Sequence, residues 1–244
     1  MKAQSQPRLS YTLLSTATTQ CLSLTYTRDY THGDSSNSRR LFWTVYMLER
    51  RMSYALGRAS RFMDEDVDVG HPIRSSKKEV RPWDELFLAK VELGRIMRVV
   101  AGVFRGEDEG GIGKESAVGG LAVEMQGWID GGLRIYADGV NNRPLFKLSR
   151  QILEVQYYSI LAALLRGPVS STSTATSSSP ASTGQTHIKP ECFDVARLTL
   201  QSFIRCCSAY QTLASASHLS SPGISGINNP LSDWSVLHDP HIHA

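Results

Sequence analysis

The sequence predicts an all-α protein, a multi-helix domain with disordered inserts. Three observations carry this. Apolar residues recur at helical spacing over several long stretches, proline and glycine punctuate the ends of those stretches, and no alternating strand pattern of useful length occurs. With 244 residues the chain can bury a sizeable core. A net charge of +3 gives no argument for a polyanionic partner, and no apolar run approaches bilayer length, so no membrane partner is expected. The N-terminus lacks the apolar core of a secretory signal. Cys21, Cys192, Cys206 and Cys207 follow no C-x-x-C spacing and read as free thiols of an intracellular protein.

Leu13, Leu14, Ala17, Cys21 and Leu24 place a first helix between about Leu9 and Asp29, weakened by its many threonines. The second runs from Ser38, a candidate N-cap, to Gly57, a candidate left-handed stop. Its apolar face reads as Leu41, Val45, Leu48, Met52 and Ala55, ringed by Arg39, Arg40, Glu49, Arg50 and Arg51. An acidic loop, Asp64 to Asp68, follows and closes at Pro72.

A third helix spans about Pro82 to Phe104, with Asp84 and Glu85 complementing its dipole. Its polar strip is so narrow that it reads as a central helix contacted on several sides. Arg105 to Gly120 reads as a glycine-rich surface loop, and a shorter helix near Leu121 to Ile129 ends at Gly131 and Gly132. After the turn N-N-R-P a further helix covers about Phe146 to Leu165. Ser170 to Thr186 is a serine/threonine tract, expected to be a disordered insert. A last helix, about Cys192 to Leu213, precedes a loose tail.

Candidate chemistry is sparse. Asp64, Glu65, Asp66 and Asp68 admit an aspartate-rich magnesium site, since hard cations want clustered carboxylates. No second metal motif on a later helix accompanies them, so a solvated loop is the favoured reading and a helical magnesium-dependent enzyme the alternative. Gly110 to Ser116, G-G-I-G-K-E-S, fails the phosphate-loop spacing because Glu115 stands where Ser or Thr belongs. His238, His241 and His243 lie in a tail that does not fix metal geometry. Of the adjacent Cys206 and Cys207, one is expected in the core and the other at its edge. Trp43, Trp83 and Trp128 read as core residues rather than stacking platforms.

One stretch carries more. R-R-L-F-W-T-V-Y-M-L-E-R-R from Arg39, L-G-R-A from Leu56, D-E-D-V-D-V from Asp64 and Pro72 occur in that order. Together they resemble the signature of the fungal-specific transcription factor domain, the middle homology region of fungal zinc-cluster factors. That signature has the form R-R-R-L-F-W-x-x-[FY]-x-L-D-R, L-G-R-P, D-E-D-I-D-V and a closing proline. Glu49, Ala59 and Val67 are departures, replacing Asp, Pro and Ile. Cys21 to Asp29, Trp128 with Leu121, Gln156 to Pro168 and Cys192 to Ile204 resemble further, weaker motifs of the domain in the right order.

The resemblance implies a partial regulatory domain over residues 9–213, with a low-complexity insert at 170–186 and a tail at 214–244. It implies a non-catalytic role in control of transcription, a nuclear location, and co-regulators, a homologous factor or a small-molecule effector as partners. Its signature residues, expected to be structural, are Arg39, Arg40, Leu41, Phe42, Trp43, Leu48, Arg50, Gly57, Arg58, Asp64, Glu65, Asp66, Asp68 and Pro72. The cysteine-rich zinc cluster that binds DNA in this family has no counterpart among the scattered cysteines. Zinc and DNA contact are therefore expected only of a longer parent protein, and no cofactor is expected in this chain. A stand-alone decoy that pairs with full-length factors is a further alternative.

Overall fold

The computed structural model describes residues 7–24, 36–105, 114–132, 135, 139–166 and 190–220. Among them run six helices and no strand: α1 (Pro7–Ser23), α2 (Ser36–Ala55), α3 (Arg81–Arg105), α4 (Lys114–Gly132), α5 (Arg143–Arg166) and α6 (Pro190–Ser220). A 3-10 turn, Asp64–Asp66, sits in the connection from α2 to α3. The protein is all-α. The serine/threonine tract and the histidine-bearing tail lie outside the described residues.

Helix α3 is central: it packs on α2, α4 and α5. One side of it joins an aliphatic core, where Leu86, Leu93, Val100, Met125, Leu153 and Leu164 are almost fully buried. Val91 enters a second, aromatic cluster with Cys21, Phe42, Trp43, Tyr46 and Phe62. A third, small cluster of Leu148, Val155 and Cys206 joins α5 to α6. Fully burying a side chain of this size is worth about 1.5–3 kcal/mol, so the two larger clusters dominate the stability of the described residues.

Helix α2 sits differently from its apolar pattern. Leu41 and Leu48 are exposed, whereas Phe42, Trp43, Tyr46, Glu49, Arg50 and Ser53 are buried beside Val45 and Ala55. The buried face is thus rotated toward the aromatic residues, which bring more area to bury. Glu49 and Arg50 do not ring that face; they lie within it. The helix begins at Ser36, so Ser38 lies inside its first turn and is not the N-cap.

The stop at Gly57 is as expected. Its φ is 60°, its N–H donates to the Tyr54 carbonyl at 3.2 Å, and the Arg58 N–H donates to Ser53 at 2.8 Å. This is the paired bonding of a Schellman C-cap, in which a glycine takes the left-handed conformation.

Other boundaries shift. Lys114 to Gly120 belong to α4, not to a surface loop, and α6 continues through residues 214–220 of the expected tail. Among the described side chains of α1, Thr18 and Cys21 are buried, whereas Leu13, and Leu24 just past its end, are exposed. Thr18 is accommodated because its hydroxyl donates to the Leu14 carbonyl at 2.9 Å. Trp43, Trp83 and Trp128 are packing residues. Trp83 meets Phe146 edge-on, Trp128 stacks on Tyr157, and Trp43 is buried. Cys206 is buried and Cys207 half-buried, and all four cysteines are free thiols.

Candidate functional site

Five of the signature residues, Phe42, Trp43, Arg50, Asp64 and Pro72, converge where α2, the acidic connection and α3 meet. Asp64 is the hub. Its Oδ1 accepts from the Tyr46 hydroxyl at 2.5 Å and from Arg50 Nη2 at 2.8 Å, and its Oδ2 accepts from Arg98 Nη1 at 3.1 Å. Tyr46 and Arg50 stand four apart on α2, hence on one face, while Arg98 reaches across from α3. The Arg50 side chain is 0% exposed. Its guanidinium lies 4.8 Å from the centre of the Tyr46 ring, so the ring face shares in holding the buried charge. Among the described residues its Nε and Nη1 find no acceptor. That makes the carboxylate of Asp64 the ion-pair partner on which this buried cation depends. Burial first, and then the bond to Asp64, raise the Tyr46 phenol far above its ordinary range, so it remains a donor.

The rest of the connection is pinned by neighbouring groups. Buried Glu49 accepts from the Ser53 hydroxyl at 2.8 Å, the Ser60 hydroxyl at 2.5 Å and the Arg61 N–H at 2.9 Å. Arg61 in turn donates to Ser15 and Thr19 of α1. Trp43 Nε1 donates to the Gly70 carbonyl at 3.1 Å, and its ring lies 4.8 Å from that of His71, just before buried Pro72. At the start of α3, Asp84 accepts from Arg40 Nη2 at 2.5 Å and from the Ser75 N–H at 2.8 Å.

Of the signature residues, Phe42, Trp43, Arg50, Asp64 and Pro72 are drawn into this interlock, with Arg40 at its edge. Arg58 lies over the Tyr11 ring of α1, 4.6 Å from its centre. Glu65, Asp66 and Asp68 are exposed, Glu65 with a long 3.8 Å ion pair to Arg98, while Leu41 and Leu48 face outward and Arg39 is half-buried. The acidic stretch is therefore not one solvated loop, because Asp64 is tied down. Tyr46, Glu49, Asp84 and Arg98 complete the site without having been singled out for it. Tyr46 was readable from its i,i+4 spacing to Arg50; Arg98 stands 34 positions from Asp64 and had no local signal.

Chemically the arrangement is a neutralised scaffold. Both Asp64 oxygens are engaged by cations or a hydroxyl, which leaves them poorly placed to ligate a metal. Among the described residues no group of three His, Cys, Asp or Glu side chains is arranged to hold a metal ion, and no helix is long and apolar enough to cross a membrane. Burial raises the thiols of Cys21 and of Cys206, the latter to about 11 with help from Cys207, so neither is a ready nucleophile. Comparison of the chain with family models, with curated proteins and with solved structures finds no match in any of the three.

Proposed function

We propose that this chain is a non-catalytic regulatory domain of a fungal zinc-cluster transcription factor. One observation carries the reading furthest. The two strongest motifs of the resemblance, R-R-L-F-W-T-V-Y-M-L-E-R-R and D-E-D-V-D-V, bond directly to each other through Tyr46, Arg50 and Asp64. Residues that identify a domain by pattern and also hold it together are expected of a structural signature. On this reading the domain acts in the nucleus through co-regulators, a homologous factor or an effector, while a separate zinc cluster of the family makes the DNA contact.

The outer face of α6 supports docking of a protein partner. Phe193, Leu200 and Ile204 are 63%, 64% and 65% exposed, and they recur at helical spacing. The magnesium-enzyme alternative is weakened by the engagement of Asp64.

A reporter experiment tests the proposal. Fused to a heterologous DNA-binding domain, the chain is expected to change reporter output relative to that DNA-binding domain alone. Unchanged output from a stably expressed fusion contradicts it. The purified chain by itself is expected neither to bind zinc stoichiometrically nor to shift DNA with sequence preference.

A further inference from the structure

The loop that leaves α2 carries a serine in a basic setting, G-R-A-S-R from Gly57. Gly57, Arg58, Ala59 and Arg61 are exposed and Ser60 is half-buried. The Ser60 hydroxyl donates at 2.5 Å to the carboxylate of buried Glu49. That carboxylate accepts a donor; an anion in the same place would face it in a low dielectric. The two arginines that flank Ser60 are both engaged on α1. Arg61 donates to Ser15 and Thr19, and Arg58 lies over the Tyr11 ring. Among the described helices α1 packs on α2 alone, so these ties supplement its contact with the aromatic cluster. The interactions that fix the loop to α2 and α1 thus meet between Arg58 and Arg61.

We infer that Ser60 is a phosphorylation site for an arginine-directed serine kinase, and that its phosphate releases α1. Arginines on both sides of the acceptor supply the charge pattern that such a kinase reads. Ser53, in R-R-M-S from Arg50, has the more basic approach, but it is 2% exposed within α2, so the fold withholds it. Ser60 lies outside the helix and is reached when its loop opens locally. In the transfer, Ser60 Oγ forms a bond to the γ-phosphorus of ATP and the bond from that phosphorus to the bridging oxygen breaks. ADP leaves, and the hydroxyl proton passes to the carboxylate base of the kinase. The product carries a charge of about −1.5 to −2 and has no hydroxyl left for Glu49. Repulsion from Glu49 turns the loop outward. Arg58 and Arg61 then leave α1 for the phosphate, a stronger partner than a hydroxyl or a ring face. The switch does not depend on the transcriptional reading above.

Cys21 reports the release, because it is buried in the aromatic cluster, whereas Cys206, buried between α5 and α6, is the internal control. The purified chain is treated with cyclic-AMP-dependent protein kinase and Mg-ATP. Its phosphoserines are mapped by mass spectrometry, and maleimide labelling of each thiol is timed. Phosphate is expected on Ser60 and not on Ser53. Cys21 labelling should then accelerate at least about tenfold, the range of one charge-assisted hydrogen bond, with Cys206 unchanged. Ser60→Ala, treated alike, should keep Cys21 slow. Ser60→Glu should speed it without kinase, and the neutral Ser60→Gln of the same size much less, which separates charge from bulk. A folded chain left unmodified at Ser60 overturns the site. A phosphorylated chain with unchanged Cys21, or with Cys21 and Cys206 accelerated together, overturns the release of α1.

Discussion

The α2–α3 junction and the α5–α6 pair are both helix-on-helix contacts, yet they are held in different ways. At the junction the contact is directional: Asp64 receives Tyr46, Arg50 and Arg98, Asp84 receives Arg40, and Glu49 fixes the chain at Ser60 and Arg61. Between α5 and α6 the contact is mainly apolar, through Leu148, Val155 and Cys206, with Glu154 accepting from Ser202 and Arg205. A buried polar network fixes one register and tolerates little change. Apolar contact on one face of a long helix leaves the other face free for a partner.

That difference is sharpest under substitution. Asp64→Ala strands the buried Arg50 charge and the Tyr46 hydroxyl, and should destabilise the chain by about 3 kcal/mol or more in urea unfolding. Next comes Glu49→Ala, which strips acceptors from two hydroxyls and a backbone N–H. It should cost about 2 kcal/mol and increase proteolysis between Gly57 and Phe62.

A smaller effect follows from alkaline pH. The folded Cys206 thiol is raised from 9.0 to about 11, so the unfolded chain loses this proton first. Its stabilising contribution is fully present below pH 9 and is lost as pH rises through about 11. Tyr54, raised from 10.0 to about 12 chiefly by burial, extends the loss upward. Lys90 acts oppositely: its folded pKa is lowered, so its burial penalty is relieved as pH rises toward 10.5. Cys206→Ala should therefore flatten the alkaline fall in stability by an amount on the order of 1 kcal/mol. The smallest effect on stability is expected at the outer face of α6. Leu200→Glu with Ile204→Glu should change it by no more than about 0.5 kcal/mol, while reducing the output of the reporter fusion.

Most of this helical fold was legible in the sequence, because α3 and α5 bury nearly continuous apolar faces and Gly57 ends α2 by a local rule. The boundaries of α4 were not. Gly119 and Gly120 each cost a helix about 1 kcal/mol relative to Ala, and the glycines of Arg105 to Gly120 pointed to a loop. A Cβ at either position would meet no atom within 4 Å, so no close approach requires glycine there, and Leu121 and Met125 are held in the core. The orientation of α2 failed for another reason. Periodicity counts charged residues as solvent-facing, and Glu49 and Arg50 are buried because their partners arrive from the loop.

The pairing of Arg50 with Asp64 makes the signature a structural unit, and a double-mutant cycle measures it directly. Urea unfolding of Arg50→Met, Asp64→Asn and the double variant is expected to show coupling of about 2 kcal/mol or more, with the double variant no less stable than the weaker single. Additive losses, within about 0.5 kcal/mol, would contradict the interlock and with it the scaffold role assigned to these residues.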